Sequence, residues 1–251
     1  MTSSSYLPEL PAIPNRLERG RRVHEGYQRG AGLQFGGLAR RIESDPVYRR
    51  AMKAAGGRSI LGDDNRYNLF LILRFFLARV PHGNIVEFGC YKGGNAIFMA
   101  SVARELHPNV RILALDTFEG MPETDKHRDA HDRGDFADVD LASLEAHVAR
   151  LGLSNLKFRK GLFQDTAKPA LEDLGSVALA HIDCDIYSAV AYSYEVVRPA
   201  MVPGGYLVFD DATVSTCIGA TEAVEELVIR RDGLSAEQIY PHFVFRAPGA
   251  A

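Results

Sequence analysis

The feature that most constrains the fold is a repeated alternation of short, β-rich apolar runs with longer stretches of helical character. Five such runs follow one another along the chain, at 85–88, 111–115, 156–159, 177–182 and 206–209. Continuous apolar runs of this length are typical of strands that are buried on both faces, and intervening helices make such strands parallel. The pattern therefore predicts an α/β fold with a doubly wound, mostly parallel sheet.

Helical segments are predicted between these strands at about 94–106, 141–151, 166–173 and 187–199. A nearly continuous apolar stretch at 68–80, ended by a proline and a glycine, predicts a buried helix that leads into the sheet. After the fifth strand we expect a helix at about 219–231, followed by two short runs, 237–240 and 242–246, that can pair at the edge of the sheet.

Two segments organise the chain of 251 residues: an N-terminal helical or irregular appendage at 1–60, and one main domain at 61–251. A short helix is predicted at 44–54 within the appendage. The absence of a long apolar run and of a leader pattern predicts a cytoplasmic protein without a membrane partner. Three cysteines without a C-x-x-C pair are interpreted as reduced, buried thiols.

The net charge of -3 argues against a protein whose main function is to bind a nucleic-acid backbone, because such binding needs a concentrated basic face. We therefore expect no nucleic-acid partner. The one basic group, Arg16, Arg19, Arg21 and Arg22, is interpreted as a solvated helix face.

The first two strands end in residues suited to bind a nucleoside. The first ends in V-E-F-G-C-Y-K-G-G, which puts Glu87, Gly89 and Gly93 before a helix, where glycines allow a ligand to approach the backbone. The Gly-x-x-x-Gly spacing is not the dinucleotide fingerprint. The second ends at Asp116, where a carboxylate can accept hydrogen bonds from ribose hydroxyls. A tight turn and a helix N-cap remain the alternative interpretations.

Four carboxylates follow the fourth and fifth strands. Asp183 and Asp185 stand in A-H-I-D-C-D-I-Y, and Asp210 and Asp211 end L-V-F-D-D-A. The carboxyl ends of parallel strands meet at one edge, where acids so close together repel unless a cation or a proton intervenes. Oxygen ligands of this kind suit Mg²⁺. Helix capping is the alternative, although it explains only one aspartate in each loop.

These motifs, with G-D-D-N-R-Y-N-L before the first strand, L-D-T-F-E-G-M-P after the second and P-G-G-Y-L-V-F-D-D at the fifth, resemble the macrocin O-methyltransferase (TylF/MycF-like) family. The resemblance covers about 62–212. It implies a Rossmann-like class I methyltransferase fold, S-adenosyl-L-methionine and Mg²⁺ as cofactors, and methylation of a sugar hydroxyl on a small molecule in antibiotic biosynthesis. It also implies a homo-oligomer.

Residue by residue, the resemblance and the ends of the strands together predict the cofactor and metal sets. The S-adenosylmethionine set is Glu87, Gly89, Tyr91, Gly93, Asp116, Thr117, Phe118, Gly161, Phe163 and Asp183. The metal set is Asp183, Asp210 and Asp211. The carboxylate cluster and the need to remove the hydroxyl proton predict a catalytic set of Asp183, Asp185 and His181, with Asp185 or His181 as the base. Arg66 falls where the family has an arginine near the cofactor, or is an exposed helix residue.

The first 60 and last 30 residues depart from the family pattern, which leaves the acceptor open. One alternative is a catechol-type enzyme, whose aromatic acceptor could lie among Phe118, Met121, Phe136 and Tyr187. A non-catalytic small-molecule-binding protein and a nicotinamide oxidoreductase are further alternatives. The polar segment 123–136 is predicted to be a lid over the cofactor, and its His127 and His131 are interpreted as solvated.

Overall fold

A computed structural model describes residues 27–29 and 32–249, so the basic group at 16–22 lies outside the described residues. The described chain begins with a short antiparallel hairpin of β1 (Tyr27–Arg29) and β2 (Gly32–Gln34). The remaining strands form one sheet: β3 (Asn84–Phe88), β4 (Ile112–Asp116), β5 (Leu156–Lys160), β6 (Val177–Ile182), β7 (Met201–Phe209) and β8 (Phe243–Arg246).

The order of strands across the sheet is β5-β4-β3-β6-β7-β8. Every neighbouring pair is parallel except β7 and β8, which are antiparallel. The predicted doubly wound, mostly parallel sheet is confirmed. Because the chain runs outward from β3 through β4 to β5 and then returns to β6, the strand order reverses between β3 and β6, and ligands bind at such a point.

Helices cover both faces of the sheet. In chain order they are α1 (Gly37–Ser44), α2 (Pro46–Ala55), α3 (Asp63–Leu71), α4 (Gly94–Leu106), α5 (Leu141–Arg150), α6 (Phe163–Leu174), α7 (Tyr187–Val197) and α8 (Ile218–Ala223). The backbone of α3 continues through a π-helical turn at Ile72–Phe76, and α8 continues as π-helix over Val224–Arg231.

Alternate residues of each central strand supply two separate cores, as the two-residue period of a strand requires. Ile85 of β3 packs in one core with Phe70 and Phe98, on the side of α1 to α5. Its neighbour Val86 packs in the other core with Tyr194, on the side of α6 to α8. Since α1 and α2 belong to the first core, this part of the predicted appendage packs directly on the sheet domain; the boundary at residue 60 stays a prediction.

Most differences from the predicted elements lie at their ends. The helix predicted at 44–54 is divided at Asp45, which ends α1 and caps α2 by accepting a hydrogen bond from the Val47 amide at 2.7 Å. α3 begins five residues earlier than predicted, with Asp63 and Asp64 in its first turn, where acidic side chains complement the helix dipole. The run 242–246 forms β8, and 237–240 pairs with it at one bridge, Gln238 to Val244. No described helix is both long and apolar enough to cross a membrane.

Candidate active site

A cavity of about 440 Å³ opens at the carboxyl ends of β3, β4, β6 and β7, where the strand order reverses. Its wall includes Glu87 and Gly89 after β3, Asp116 after β4, and the acids that follow β6 and β7. The segment before α3, residues 58–62, forms another part of the wall. A volume of this size accommodates a small organic ligand.

Gly89 allows the ends of β3 and β6 to meet. Its φ is 79°, and a Cβ at this position would overlap the carbonyl oxygen of Asp183 and lie 2.8 Å from the carbonyl carbon. Only glycine fits such a close approach of two backbones. The turn at Gly89 was predicted to bind a ligand. It therefore also positions the loop that contains Asp183.

Asp116 ties the turn after β3 to the end of β4. One carboxylate oxygen accepts hydrogen bonds from the amides of Cys90 at 2.9 Å and Tyr91 at 2.7 Å, and the other accepts from the amide of Phe118 at 2.8 Å. Burial raises the pKa of Asp116, and these amides oppose that rise. The helix-cap alternative for Asp116 is wrong, because the next helix, α5, is capped by Asp140.

The carboxylates of Asp183, Asp210 and Asp211 each bring an oxygen within 4.8 Å of the others. Burial and then the charges of neighbouring acids raise the pKa of both Asp183 and Asp211. The amide of Asp185 donates to Asp211 at 2.7 Å, and Asp185 has a positive φ of 59°. Neither Asp183 nor Asp185 caps α7, whose cap residue makes no side-chain hydrogen bond. Three carboxylates that repel one another, two of them buried and Asp183 partly buried, fit a divalent cation such as Mg²⁺.

Asp210 is held in place by hydrogen bonds from two other side chains. Its Oδ1 accepts hydrogen bonds from Asn65 at 2.7 Å and from His242 at 2.8 Å, and the other ring nitrogen of His242 lies 3.0 Å from Asn68. Burial alone raises the pKa of Asp210, but nearby His181, whose Nε2 lies 3.6 Å away, and the hydrogen bond from His242 outweigh burial and lower that pKa. Asp210 is thus an ionised carboxylate with its position fixed from both α3 and the C-terminal region.

His181 lies behind the acids in a buried network. Its Nδ1 is 3.1 Å from Glu87 Oε1, which also accepts from Asn95 at 2.6 Å, and its Nε2 is 3.6 Å from Asp210. Burial lowers the pKa of His181, but Asp210 and Glu87 outweigh this effect and raise it to about 9. Asp185 is part of the cavity wall and His181 is not, so Asp185 is the better placed of the two to accept a proton from a ligand in the cavity. Glu87 Oε2 is buried without a hydrogen-bond partner among the described residues.

The segment 123–136 lies against α7 and α8. Asp129 accepts a hydrogen bond from the Tyr187 amide at 2.9 Å, and the guanidinium of Arg128 lies 4.1 Å from the centre of the Tyr187 ring. Phe136 contacts the ring of Tyr91, 5.3 Å away between centroids, at the cavity wall. The interpretation of His131 as a solvated residue is wrong, because its side chain is mostly covered and its Nε2 lies 3.6 Å from Asp185 Oδ1. The lid role of the segment stays a prediction.

Most of the predicted cofactor residues lie in the cavity wall: Glu87, Gly89, Tyr91, Asp116, Thr117, Phe163 and Asp183. Gly93, Phe118 and Gly161 are not part of that wall; the Phe118 ring packs on Phe158 in the core. Arg66 pairs with Asp63 on its own helix. Of the proposed aromatic slot, the wall contains Met121 and Phe136.

Sequence reasoning missed Asn65, Asn95 and His242, which hold the acidic side chains in place. Asn65 stands in the G-D-D-N motif and could have been weighed there, because an amide that follows two acids is a ready donor. His242 carries no comparable local signal.

The strand order and the position of the cavity define a Rossmann-like fold of the class I methyltransferase type. Among solved structures, the O-methyltransferase NovP matches with a TM-score of 0.64 and 21% identity, covering 84% of this chain and 95% of that one. The chain belongs to the macrocin-O-methyltransferase (TylF) family, whose model matches residues 57–231.

Two curated relatives are informative. One is 8-demethyl-8-(2,3-dimethoxy-alpha-L-rhamnosyl)-tetracenomycin-C 4'-O-methyltransferase of Streptomyces olivaceus, 31% identical over 160 residues, with 60% of each chain covered. The other is mycinamicin III 3''-O-methyltransferase of Micromonospora griseorubida, 28% identical over 167 residues, with 62% of this chain and 63% of the relative covered. The chain thus matches somewhat under two thirds of the length of these relatives.

Proposed function

We propose that the protein is an S-adenosyl-L-methionine-dependent O-methyltransferase that methylates, with Mg²⁺, a sugar hydroxyl of a natural product or nucleotide sugar. The observation that carries the proposal is one cavity that joins the Gly89 turn and Asp116 to the carboxylates of Asp183, Asp210 and Asp211. Membership of the macrocin-O-methyltransferase family supports it. The name of the tetracenomycin relative, which specifies O-methylation of a rhamnosyl compound, supports the sugar acceptor.

The nucleoside half of the cavity is proposed to hold S-adenosylmethionine. Asp116 offers about four acceptor sites, and three of them accept the amides of Cys90, Tyr91 and Phe118, so Oδ1 keeps a site that can accept from a ribose hydroxyl. Glu87 Oε2, which has no partner among the described residues, is an acceptor for the ammonium group of the methionine part. Phe163 contributes apolar wall next to the site proposed for the adenine.

The acidic half of the cavity is proposed to bind Mg²⁺ and the acceptor. A bound Mg²⁺ would lower the pKa of a coordinated hydroxyl, which is otherwise a poor acid. Asp183, Asp210 and Asp211 hold their oxygens close enough to share one ion, and Asn65 and His242 keep Asp210 in place. Asp185, in the cavity wall beside them, accepts the hydroxyl proton as the methyl group is transferred. The cavity walls align the acceptor oxygen with the methyl group for in-line displacement.

A catechol-type acceptor is the second candidate, favoured by Met121 and Phe136 in the cavity wall. It uses the same cofactor and metal, so only the acceptor distinguishes the two. A cytoplasmic location and a homo-oligomeric state remain part of the proposal.

The test is transfer of a labelled methyl group from S-adenosylmethionine to a panel of acceptors: nucleotide deoxysugars, rhamnosylated polyketides and catechols. We expect methylation of a deoxysugar compound that requires Mg²⁺, is stopped by a chelator, and falls at least a hundredfold in Asp210→Ala. Asp165→Ala, at an exposed acid of α6, is the matched control and should keep full activity. Methylation of catechols alone would transfer the assignment to the second candidate, and full activity of Asp210→Ala under chelator would overturn the metal role.

A further inference from the structure

Three potential metal ligands from distant parts of the chain converge beside the carboxylates described above. They are His131 from the 123–136 segment, Asp185 from the loop after β6, and Cys217, which precedes α8. Cys217 Sγ lies 3.5 Å from Asp185 Oδ1 and 3.8 Å from His131 Nε2, and the latter lies 3.6 Å from Asp185 Oδ1. The Cys217 side chain is buried, and the other two are mostly covered.

These separations are those of ligands around one tetrahedral ion. With Zn–S near 2.3 Å and Zn–N and Zn–O near 2.1 Å, a tetrahedral angle places N and O about 3.4 Å apart, and S about 3.6 Å from either. The three distances between His131, Asp185 and Cys217 differ from these values by small amounts. A single cation can therefore contact all three atoms after minor side-chain adjustment.

A second observation supports a metal role for His131. Its other ring nitrogen, Nδ1, lies 3.1 Å from Asp135 Oδ2, which also accepts the Asp132 amide at 3.0 Å. Metal-bound histidines usually donate their second N–H to a carboxylate, which fixes the tautomer and the ring orientation. Asp135 thus leaves Nε2 of His131 as the free acceptor that faces Asp185 and Cys217.

We propose that His131, Asp185 and Cys217 form a second cation site, selective for a thiophilic ion such as Zn²⁺ and separate from the Mg²⁺ carboxylates. Thiolate and imidazole ligands favour Zn²⁺, whereas a set made only of carboxylates favours Mg²⁺. Three protein ligands leave the fourth tetrahedral position open. Because Asp185 is shared with the cavity, a Zn²⁺ ion here withdraws the base of the proposed reaction and inhibits methyl transfer; this consequence rests on the proposed function, whereas the binding does not.

Ion binding at this site must release a proton. Burial raises the pKa of the Cys217 thiol, so without an ion Cys217 is protonated and donates its hydrogen bond to Asp185. On binding, the S–H bond breaks, the sulfur coordinates the cation, and the proton leaves to solvent. Affinity should accordingly increase as pH rises.

Co²⁺, a spectroscopic substitute for Zn²⁺, tests the site on the full chain with excess Mg²⁺ to fill the carboxylates. We expect one equivalent of Co²⁺ to bind with a thiolate-to-metal charge-transfer band, which is lost in Cys217→Ser while Cys90 and Cys184 are still present. Asp135→Asn, at a half-exposed position that does not contact the ion, should weaken binding about 10- to 100-fold. His131→Gln provides a further variant if Cys217→Ser does not fold. No band in wild type, or an equal band in a folded Cys217→Ser or His131→Gln, would overturn the proposal.

Measurements of methyl transfer distinguish a failure of the cation site from a failure of the proposed function. With saturating Mg²⁺, Zn²⁺ should inhibit methyl transfer by the wild type, and Cys217→Ser should require at least tenfold more Zn²⁺ for the same inhibition. Equal Zn²⁺ sensitivity of both proteins would contradict the inhibitory role. If no methyl transfer is found with any acceptor, the proposed function fails, but the Co²⁺ spectra still decide the binding site.

Discussion

Replacing Gly89 by alanine tests whether the close approach of β3 and β6 builds the site. At a φ of 79° an alanine side chain costs about 1–2 kcal/mol in conformational energy. The Cβ would in addition overlap the Asp183 carbonyl, and overpacking of this kind costs about 1–3 kcal/mol. Together the two effects predict a loss of about 2–5 kcal/mol in the free energy of unfolding.

Gly233 offers a matched control, because its φ is 67° and a Cβ there would meet no atom within 4 Å. Gly233→Ala should lose only the conformational part, about 1–2 kcal/mol. Urea unfolding followed by circular dichroism measures both variants. Because Gly89→Ala also displaces the Asp183 loop, it alone should weaken Mg²⁺ binding in calorimetry. Equal losses of stability in the two variants, with unchanged Mg²⁺ affinity, would refute this explanation of the site.

Three further changes address a support of Asp210, the acid Asp183, and Asp232, which pairs with arginines away from the cavity. His242→Ala removes a donor from buried Asp210, so we expect a loss of about 1–3 kcal/mol in urea unfolding and weaker Mg²⁺ binding; unchanged stability would contradict this role. Asp183→Asn removes a carboxylate repelled by its neighbours, so thermal unfolding without Mg²⁺ should occur at the same or a higher temperature, and the rise on adding Mg²⁺ should vanish. The pKa of Asp232 is held below its ordinary value by hydrogen bonds, of which the one from Arg231 has the largest effect. The stabilisation by Asp232 is therefore full above about pH 4 and lost as pH falls below it, so the stability difference between wild type and Asp232→Asn should shrink from pH 7 to pH 3.

The sheet and the positions of its acids were predictable because they depend on local patterns. Apolar runs with intervening helices predicted parallel strands, and parallel strands bring their carboxyl ends to one edge. The position of Asp116, Asp183 and Asp210 at the same cavity follows directly from these two facts. The early start of α3 was missed because its first turn is polar and shows no apolar period.

The supports of the site were not predictable in the same way. Asn65 and Asp210 are 145 residues apart in sequence, and Asn68 and His242 are 174 apart, so only the packing of α3 against the C-terminal region brings them together. His131 stands in a charged segment typical of solvent-exposed loops, and its contact with Asp185 depends on how that segment packs on α7. Such contacts are set by tertiary structure and not by spacing along the chain.

In the proposed function, the cavity binds S-adenosylmethionine beside a metal-supported acceptor site. Isothermal titration of the full chain with S-adenosylmethionine, S-adenosylhomocysteine and NAD, each with and without Mg²⁺, tests it most directly. We expect saturable binding of both sulfur nucleotides and no binding of NAD. Binding of NAD in preference to the sulfur nucleotides, or no binding of either sulfur nucleotide, would contradict it.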